Sequence, residues 1–590
     1  MNTPIALEQV SIEQVTIERV DDIPLLVALQ QRVGIADVID SIIPRHWLHQ
    51  GLSIGQLVLG WNTFILSEGD HRKVTVRDWV IDHRGILEKL LGLSIRDTDF
   101  TDDRLGQVLT YLSDDKYWLQ TEEALWQNSV SVYRLNPERV RLDSTTASGH
   151  HTVTDESLMQ YGYNPQKTAQ PQVKVMVGSV DIGTNGHLVA TEIVSGQKAD
   201  DPLYQPVLQQ LRHTLQEPGL LYMGDSKMSS LAIRADIVAH GDFYLVPLAK
   251  VGEIPNLFDR LIEKVVAADQ EVKANPALLA TLIFDNERLL AYGYETTRLQ
   301  NYTSPEGKKS TWEERLLVIR SQSDAKKELA RLHKRLEEAT QALLALTPEP
   351  GRGKRQIRKE NQLIEKAEAI VQRFGVKEYL YHTFRRQEIT KTQYVGRGRG
   401  GKNRPKRTIK KVRYQITGVN RDENAINAAY WRMGWRLYAT NQKSVALPID
   451  EAIRIYRQAP RIERHFHLLK DVPIGIEPLY VRRDDQIKGL VRLLSLCVRL
   501  LTLIEIVARR SLKQSEQKLS GLYEGNPKQQ TNQPTAKRLL KTFCQISLLQ
   551  FTVAGQSLVY ITPLSPLQRQ ILSLLELSEA IYEVPFMNSG

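Results

Sequence analysis

Cysteine is nearly absent from this 590-residue chain, with Cys497 and Cys544 the two present. Two thiols build neither a disulfide framework nor a cysteine-based zinc site, so they read as buried thiols of a reducing compartment. His46 and His49 have no cysteine partners, which argues against zinc there. Long uninterrupted apolar runs are also missing. The most apolar stretch, 486–511, carries Lys488, Arg492, Arg499 and Glu505. A bilayer span tolerates such charges badly, so this stretch reads as a buried helix and the chain as having no membrane partner. The first residues, MNTPIALEQVSIEQ, are acidic and lack the apolar core of an export signal. A cytoplasmic location follows as the expectation. With 42% hydrophobic and 25% charged residues the composition is that of a soluble globular protein rather than a disordered or collagenous one. At roughly 150 residues per domain the length suggests about three or four domains.

What the chain does have is an uneven charge. Its net is +10, yet residues 1–140 hold 13 Lys plus Arg against 21 Asp plus Glu, a net of −8. The remaining 450 residues carry +18. Such asymmetry points to a polyanion as partner of the larger part. The densest run, Arg397–Arg413, contains nine basic residues and no acid. Its glycines and proline exclude a regular helix. Arg397, Arg399, Lys402, Arg404, Lys406 and Arg407 suit contact with nucleic-acid phosphates, which would bind with little sequence preference. The plainer alternative is a solvated loop.

Periodicity divides the chain. Residues 1–135 read as a helical domain, a candidate for DNA binding. Ile54, Leu57, Trp61 and Ile65 share one face, with Ser53 as candidate N-cap. Residues 136–249 change period: a strand at 140–143 ending in an acid, two strands around the turn GTNG, a helix from Pro202 to Leu215 capped by Asp200 or Asp201, then strands at 219–227 and 243–248. This is a mixed α/β sheet. Residues 250–430 read as an insertion, with strands at Leu289–Tyr294 and Arg315–Arg320. It also holds a heptad seam through Leu329, Leu332, Leu336, Ala339, Leu343 and Leu346, a second helix over Gln356–Phe374, and the basic loop. The seam reads as packing within a helical hairpin ahead of a dimer contact. Residues 431–483 return to the sheet with GWRLYATN (434–441) and two helices. Residues 484–590 read as helical, with 512–540 as a polar linker.

Two strands end in acids, Asp143 and Asp225, where ligands approach α/β sheets. A lone strand-end Asp is commonly a cap. A third carboxylate lies in APRIERHFHLLK (459–470), where Ile462, Phe466 and Leu469 form the buried stripe and Glu463, His467 and Lys470 repeat the spacing one residue on. Tyr456, Arg457, Arg461, Arg464 and Lys470 surround Glu463. Acids with cations beside them suit a metal-assisted reaction at a phosphodiester, because Mg²⁺ takes oxygen ligands from a few carboxylates and from substrate phosphates. Other candidates have simpler readings: His150 and His151 as a surface pair, Asp181 as a turn residue, and Trp431 and Trp435 as packing under the sheet rather than stacking on a base.

Taken in order, RLDSTTASGHH (141–151), YMGDSKMSS (222–230), YGYNPQK (161–167) followed by PQVKV, and the large insertion before Glu463 resemble the DDE transposases of bacterial insertion sequences. More narrowly they resemble the group with a Tyr-x2-Arg-x3-Glu-x6-Lys signature. Tyr456, Glu463 and Lys470 keep that spacing, Ala459 stands at the arginine position, and Arg457 or Arg461 would take its role. The resemblance spans roughly 20–500. It implies a ribonuclease H-like α/β core interrupted by the insertion, with helical N- and C-terminal parts. Asp143, Asp225 and Glu463 would be catalytic residues holding two Mg²⁺ (or Mn²⁺) ions about 3.5–4 Å apart. Tyr456, Arg457, Arg461 and Lys470 would contact the DNA backbone. The expected activity is cutting at the ends of an insertion sequence and joining them to target DNA. A homodimer would work on double-stranded DNA in the bacterial nucleoid. The alternatives are a related nuclease that cuts without joining and a non-catalytic DNA-binding descendant.

Overall fold

The computed structural model describes residues 12–45, 50–162, 170–199, 201–267, 275, 280–285, 287–397, 403–553 and 556–583. His46, His49, Asp200, Arg399, Lys402 and residues 163–167 of the YGYNPQK segment lie outside the described residues. The chain forms two compact units, one of 1–246, 300–312 and 455–590 and one of 247–299 and 313–454. The fold is mixed α/β.

The first unit opens with a strand, β1 (Ile12–Arg19), and then a run of helices. Ile54–Glu68 is one of them. Ser53 caps it, and Gln56 closes a reciprocal capping box. Ile54, Leu57, Trp61 and Ile65 are all buried, as their spacing requires. The sheet follows: β2 (Arg139–Ser148), β3 (Gln172–Ile182), β4 (Asn185–Ser195), β5 (Leu221–Met223) and β6 (Phe243–Pro247). Their order is β4-β3-β2-β5-β6. The β2–β3 and β3–β4 pairs are antiparallel, and the β2–β5 and β5–β6 pairs are parallel. The GTNG turn joins β3 to β4 in a hairpin where Ile182 faces Asn185 and Gly183 has φ +58°. Leu211 of the helix Tyr204–Leu215 packs on Gly178 of β3, where an added Cβ would lie 2.7 Å from its methyl carbons. The N-cap position of that helix is Leu203, with no side-chain capping bond, rather than Asp201, which opens a preceding 3-10 turn over Asp201–Leu203.

The second unit holds β7 (Thr281–Asp285) and most of β8 (Arg288–Thr303) and β9 (Lys309–Ser321). The helices Gln322–Leu346 and Glu360–Arg373 pack together there. Leu332, Leu336, Ala339 and Leu343 meet Leu363, Ala367 and Val371 in one buried cluster, so the heptad seam is spent on intramolecular packing. β10 (Leu380–Tyr394) and β11 (Lys406–Arg421) form a long antiparallel ribbon. The basic run is therefore not all loop: residues 406–413 lie in β11, where each residue is paired with one of β10. β12 (Trp435–Thr440) pairs antiparallel with β9. Trp435 is buried edge-on to Tyr292, and Trp431 lies against the Arg320 guanidinium, so packing is the role of both.

The terminal parts of the chain are not purely helical. β13 (Ser547–Val553) pairs antiparallel with β1 and with β14 (Gln556–Ile561) in a three-stranded sheet. The pairing of β1 with β13 has no signal nearby in sequence, since Arg19 pairs with Ser547. Residues 512–540 are not a bare linker either. Leu519, Leu539 and Leu540 are buried, and Leu519 bridges Thr531.

The helix Asp484–Gln514 is buried along most of its 31 residues. Its charges are paired. Lys488 and Arg492 reach Asp115, Arg492 also bonds the Leu112 carbonyl at 3.0 Å, Arg499 meets Glu122, and Glu505 accepts Arg464 at 2.6 Å. Among the described residues no helix is long and apolar enough to cross a membrane. Burial pushes the Glu122 carboxyl up to about 7 despite Arg499 beside it. Removing one member of a buried pair strands the other. Arg499→Ala is expected to destabilise the unit by about 3–5 kcal/mol, read in urea from the fluorescence of Trp118, whose ring lies 5.7 Å from the Arg499 guanidinium carbon. Lys513→Ala, on the exposed end of the same helix, should stay within about 0.5 kcal/mol.

Candidate active site

The β2–β5 register decides where the first two acids stand. Arg139 pairs with Leu221, Val140 with Tyr222 and Arg141 with Met223. Asp143 stands two residues further along β2 and Asp225 two residues past the end of β5, and the charge of Asp225 reaches Asp143. Asp143 does not end its strand. β2 runs on to Ser148 against β3, with Asp143 opposite Val177. The apolar run stops at Leu142, but the ladder with β3 continues, since pairing is a backbone property. Asp225 lies past β5 with extended backbone and caps the short 3-10 turn Ser226–Ser229 by accepting the Lys227 amide at 2.9 Å.

Both carboxylates have local donors. Asp143 accepts the Ser144 amide at 2.8 Å, and Asp225 accepts the Tyr204 hydroxyl at 2.6 Å. No motif in the sequence marks Tyr204, and only its place beside Asp225 gives it a role. Burial and the charge of Asp225 hold its phenol far above the ordinary range, so it stays a donor. Burial pushes Asp143 up to about 6, reinforced by the negative charges of Asp225 and Glu463 and opposed by the Ser144 amide and Lys227.

Glu463 sits in the first turn of the helix Pro460–Lys470, which opens with proline at its first position. It is exposed, and its charge reaches Asp143. The buried face of this helix is Ile462, His465, Leu468 and Leu469, with Phe466 half-buried. His465, rather than Phe466, faces inward, because β4 presents Gly186 there and an added Cβ would meet the His465 Cε1 at 3.0 Å. Burial pulls His465 down to about 4, which keeps it neutral.

The basic residues expected around Glu463 have distinct partners. The Tyr456 hydroxyl donates to the Gly224 carbonyl at 3.3 Å, next to Asp225. Arg457 is half-buried. Arg461 lies 3.1 Å from Asp181, and Arg464 turns to Glu505. Lys470 is 4.0 Å from Glu477, which also accepts the Ser148 amide at the end of β2. Asp181 is no turn residue. It is fully buried and holds Arg141 through two guanidinium nitrogens. His150 is exposed, while His151 lies 2.8 Å from the Val481 carbonyl.

Residues 136–501 match the family model described as the transposase DDE domain. The chain belongs to the DDE transposases. Comparison with curated proteins finds no match. The matched segment of the transposase contains Asp143, Asp225 and Glu463. Membership implies a metal-dependent enzyme that acts on DNA, and DDE transposases generally use divalent metal ions. Hard oxygen donors drawn together at the cost of mutual repulsion are the donor set such a cation takes. Among the described residues no three or more His, Cys, Asp or Glu side chains are spaced to enclose one metal ion.

In the unfolded transposase Asp143 has an ordinary carboxyl, while the folded, metal-free chain keeps its proton up to about pH 6. Between those values the native state binds more protons, so stability falls as pH rises. In EDTA, Asp143→Asn should therefore melt above wild type at about pH 7, and the difference should vanish near pH 4. A melting curve equal to wild type at neutral pH would contradict the raised carboxyl.

Proposed function

We propose that this transposase cuts at the ends of a bacterial insertion sequence and joins them to target DNA, with Asp143, Asp225 and Glu463 as the catalytic acids. The observation that supports the reading is that the charges of both Asp225 and Glu463 are felt at Asp143, with Arg141 of β2 paired to Met223 of β5 two residues before the first two acids. The strand order β4-β3-β2-β5-β6 supports a ribonuclease H-like core, with the first acid on its central strand. Residues 250–430, between Asp225 and Glu463, would be the large insertion seen in the family.

Two divalent ions, Mg²⁺ or Mn²⁺, would supply Lewis acidity for the attacking and leaving oxygens of an in-line displacement. Asp143, on which the charges of both Asp225 and Glu463 act, would hold the ions together with those two acids. The Tyr204 hydroxyl and the Lys227 amide fix Asp225 in place, which leaves its rotamer settled before a ligand arrives. Tyr456 and Lys470 would contact the DNA backbone. Arg457 or Arg461 would take the place of the signature arginine, and Arg461 also lies 3.1 Å from the buried Asp181 carboxylate. Work on two ends implies a homodimer, and a location in the nucleoid follows from the substrate.

The ribbon suits phosphate contact. Residues 380–421 carry 13 basic residues and one acid. From Glu388 onward every residue of β10 is exposed, and Ile409 alone is partly covered among 406–411. Arg404 also shapes the turn, donating to the Val395 and Arg397 carbonyls at 3.0 and 2.7 Å. Among the described residues of the run 397–413, Arg397, Lys406, Arg407, Lys410 and Lys411 are the exposed basic ones.

Asp143→Asn, Asp225→Asn and Glu463→Gln are each expected to abolish cleavage of end-bearing DNA in Mg²⁺ while sparing its binding. Wild-type cleavage by any one of them would remove that residue from the chemistry. Neutralising Lys406, Arg407, Lys410 and Lys411 should weaken binding to all duplexes alike. The slope of log affinity against log salt should fall by about 0.9 for each phosphate left without its cation, and an unchanged slope would rule out a phosphate role.

A further inference from the structure

Asp181 lies outside the three acids, yet it is a buried carboxylate that two arginines near them approach. Its side chain is fully buried at the end of β3. Arg141 donates to it from Nε at 2.8 Å and from Nη2 at 2.8 Å, and Arg141 itself is 4% exposed. Arg461 approaches the same carboxylate at 3.1 Å. The Arg141 guanidinium also reaches the Ile455 carbonyl at 2.9 Å, which ties it to the segment leading into the Glu463 helix.

The positions of the two arginines make this cluster more than a structural ion pair. Arg141 stands two residues before Asp143 on β2, and Arg461 stands two residues before Glu463 in the first turn of its helix. β2 and the helix are far apart in sequence, and one carboxylate grips both just upstream of the acid each carries. The neighbouring β4 accommodates the grip. At Gly186 an added Cβ would lie 3.1 Å from the Arg461 carbonyl, so the helix approaches the hairpin as closely as a glycine permits.

We propose that Asp181 is a positioning residue which, through Arg141 and Arg461, sets the separation of Asp143 and Glu463 and thereby the affinity of the site for divalent cations. This rests on the reading of those two acids as cation ligands. Asp181 is fixed by the bidentate hydrogen bonds of Arg141 and attracts Arg461 through its charge, so a shift of Asp181 moves the frame of both acids. Groups that orient metal ligands typically contribute about 10–100-fold in metal affinity or activity.

The test is Mn²⁺ binding to the full chain without DNA, followed by the electron paramagnetic resonance of free Mn²⁺ well below the melting temperature. Asp143→Asn is the control for the underlying reading and should lose the tight Mn²⁺ site. Asp181→Asn and Arg461→Gln should raise the half-saturating Mn²⁺ concentration about 10- to 100-fold, with circular dichroism unchanged at the assay temperature. Arg461→Lys, which keeps the charge, should recover part of the loss. Should Asp181→Asn fail to fold, Arg461→Gln decides, because Arg461 is partly exposed and the Asp181–Arg141 pair survives it. If Asp143→Asn binds Mn²⁺ as wild type does, the assignment of the cation site falls. If that control loses Mn²⁺ while the folded Asp181 and Arg461 variants stay within about twofold of wild type, the positioning role is overturned and the catalytic reading stands.

Discussion

The parallel pairing of β2 with β5 is the constraint on which the site depends. It is short, three residue pairs from Arg139–Leu221 to Arg141–Met223, and a slip of one residue would turn Asp143 or Asp225 to the opposite face. The register is held from elsewhere. β2 is locked to β3 over ten consecutive pairs, and β3 to β4 through a tight hairpin. The short strand β5 is thus laid against a strand that is already fixed. Burial above all, and then the charges of Asp225 and Glu463, raise the Asp143 carboxyl, while the Ser144 amide opposes the rise.

Buried charge recurs in this unit, and each instance pins distant segments together. Arg492 and Arg499 of the long helix reach Asp115 and Glu122, each 377 residues earlier in the chain. Arg464 meets Glu505, joining the Glu463 helix to the long helix. Such pairs add little net stability over apolar packing, but they penalise any arrangement in which one partner is stranded. They specify position, which is what a three-acid site needs from its scaffold.

Much of this is legible residue by residue. Ser53 announces a helix start, GTNG a hairpin, and the Leu332–Leu343 seam a packed helix pair, because caps, turns and periodicity are local properties. The four charges at 488, 492, 499 and 505 exclude a membrane span before their partners are known. Where sequence and structure part, the cause is shared. β1 and β13 pair across the length of the chain. Asp143 resembles a strand end because the apolar pattern stops there while the ladder continues. Asp181 resembles a turn residue because its arginines arrive from β2 and from the helix at 460–470. His465 looks polar enough to face solvent, yet Gly186, far earlier in the chain, receives it.

By itself the sequence determined the class of chemistry: the order and spacing of Asp143, Asp225 and Glu463 among basic neighbours, a basic stretch suited to a polyanion, and no means of crossing a membrane by an apolar helix. Only the tertiary structure decided which of the surrounding cations are engaged, that Tyr204 serves Asp225, that the basic run is half ribbon, and that one buried aspartate grips the supports of two acids. The reason is physical. Composition and periodicity report a residue's own preferences, whereas ion pairs, registers and raised carboxyls are set by partners that only folding brings within reach.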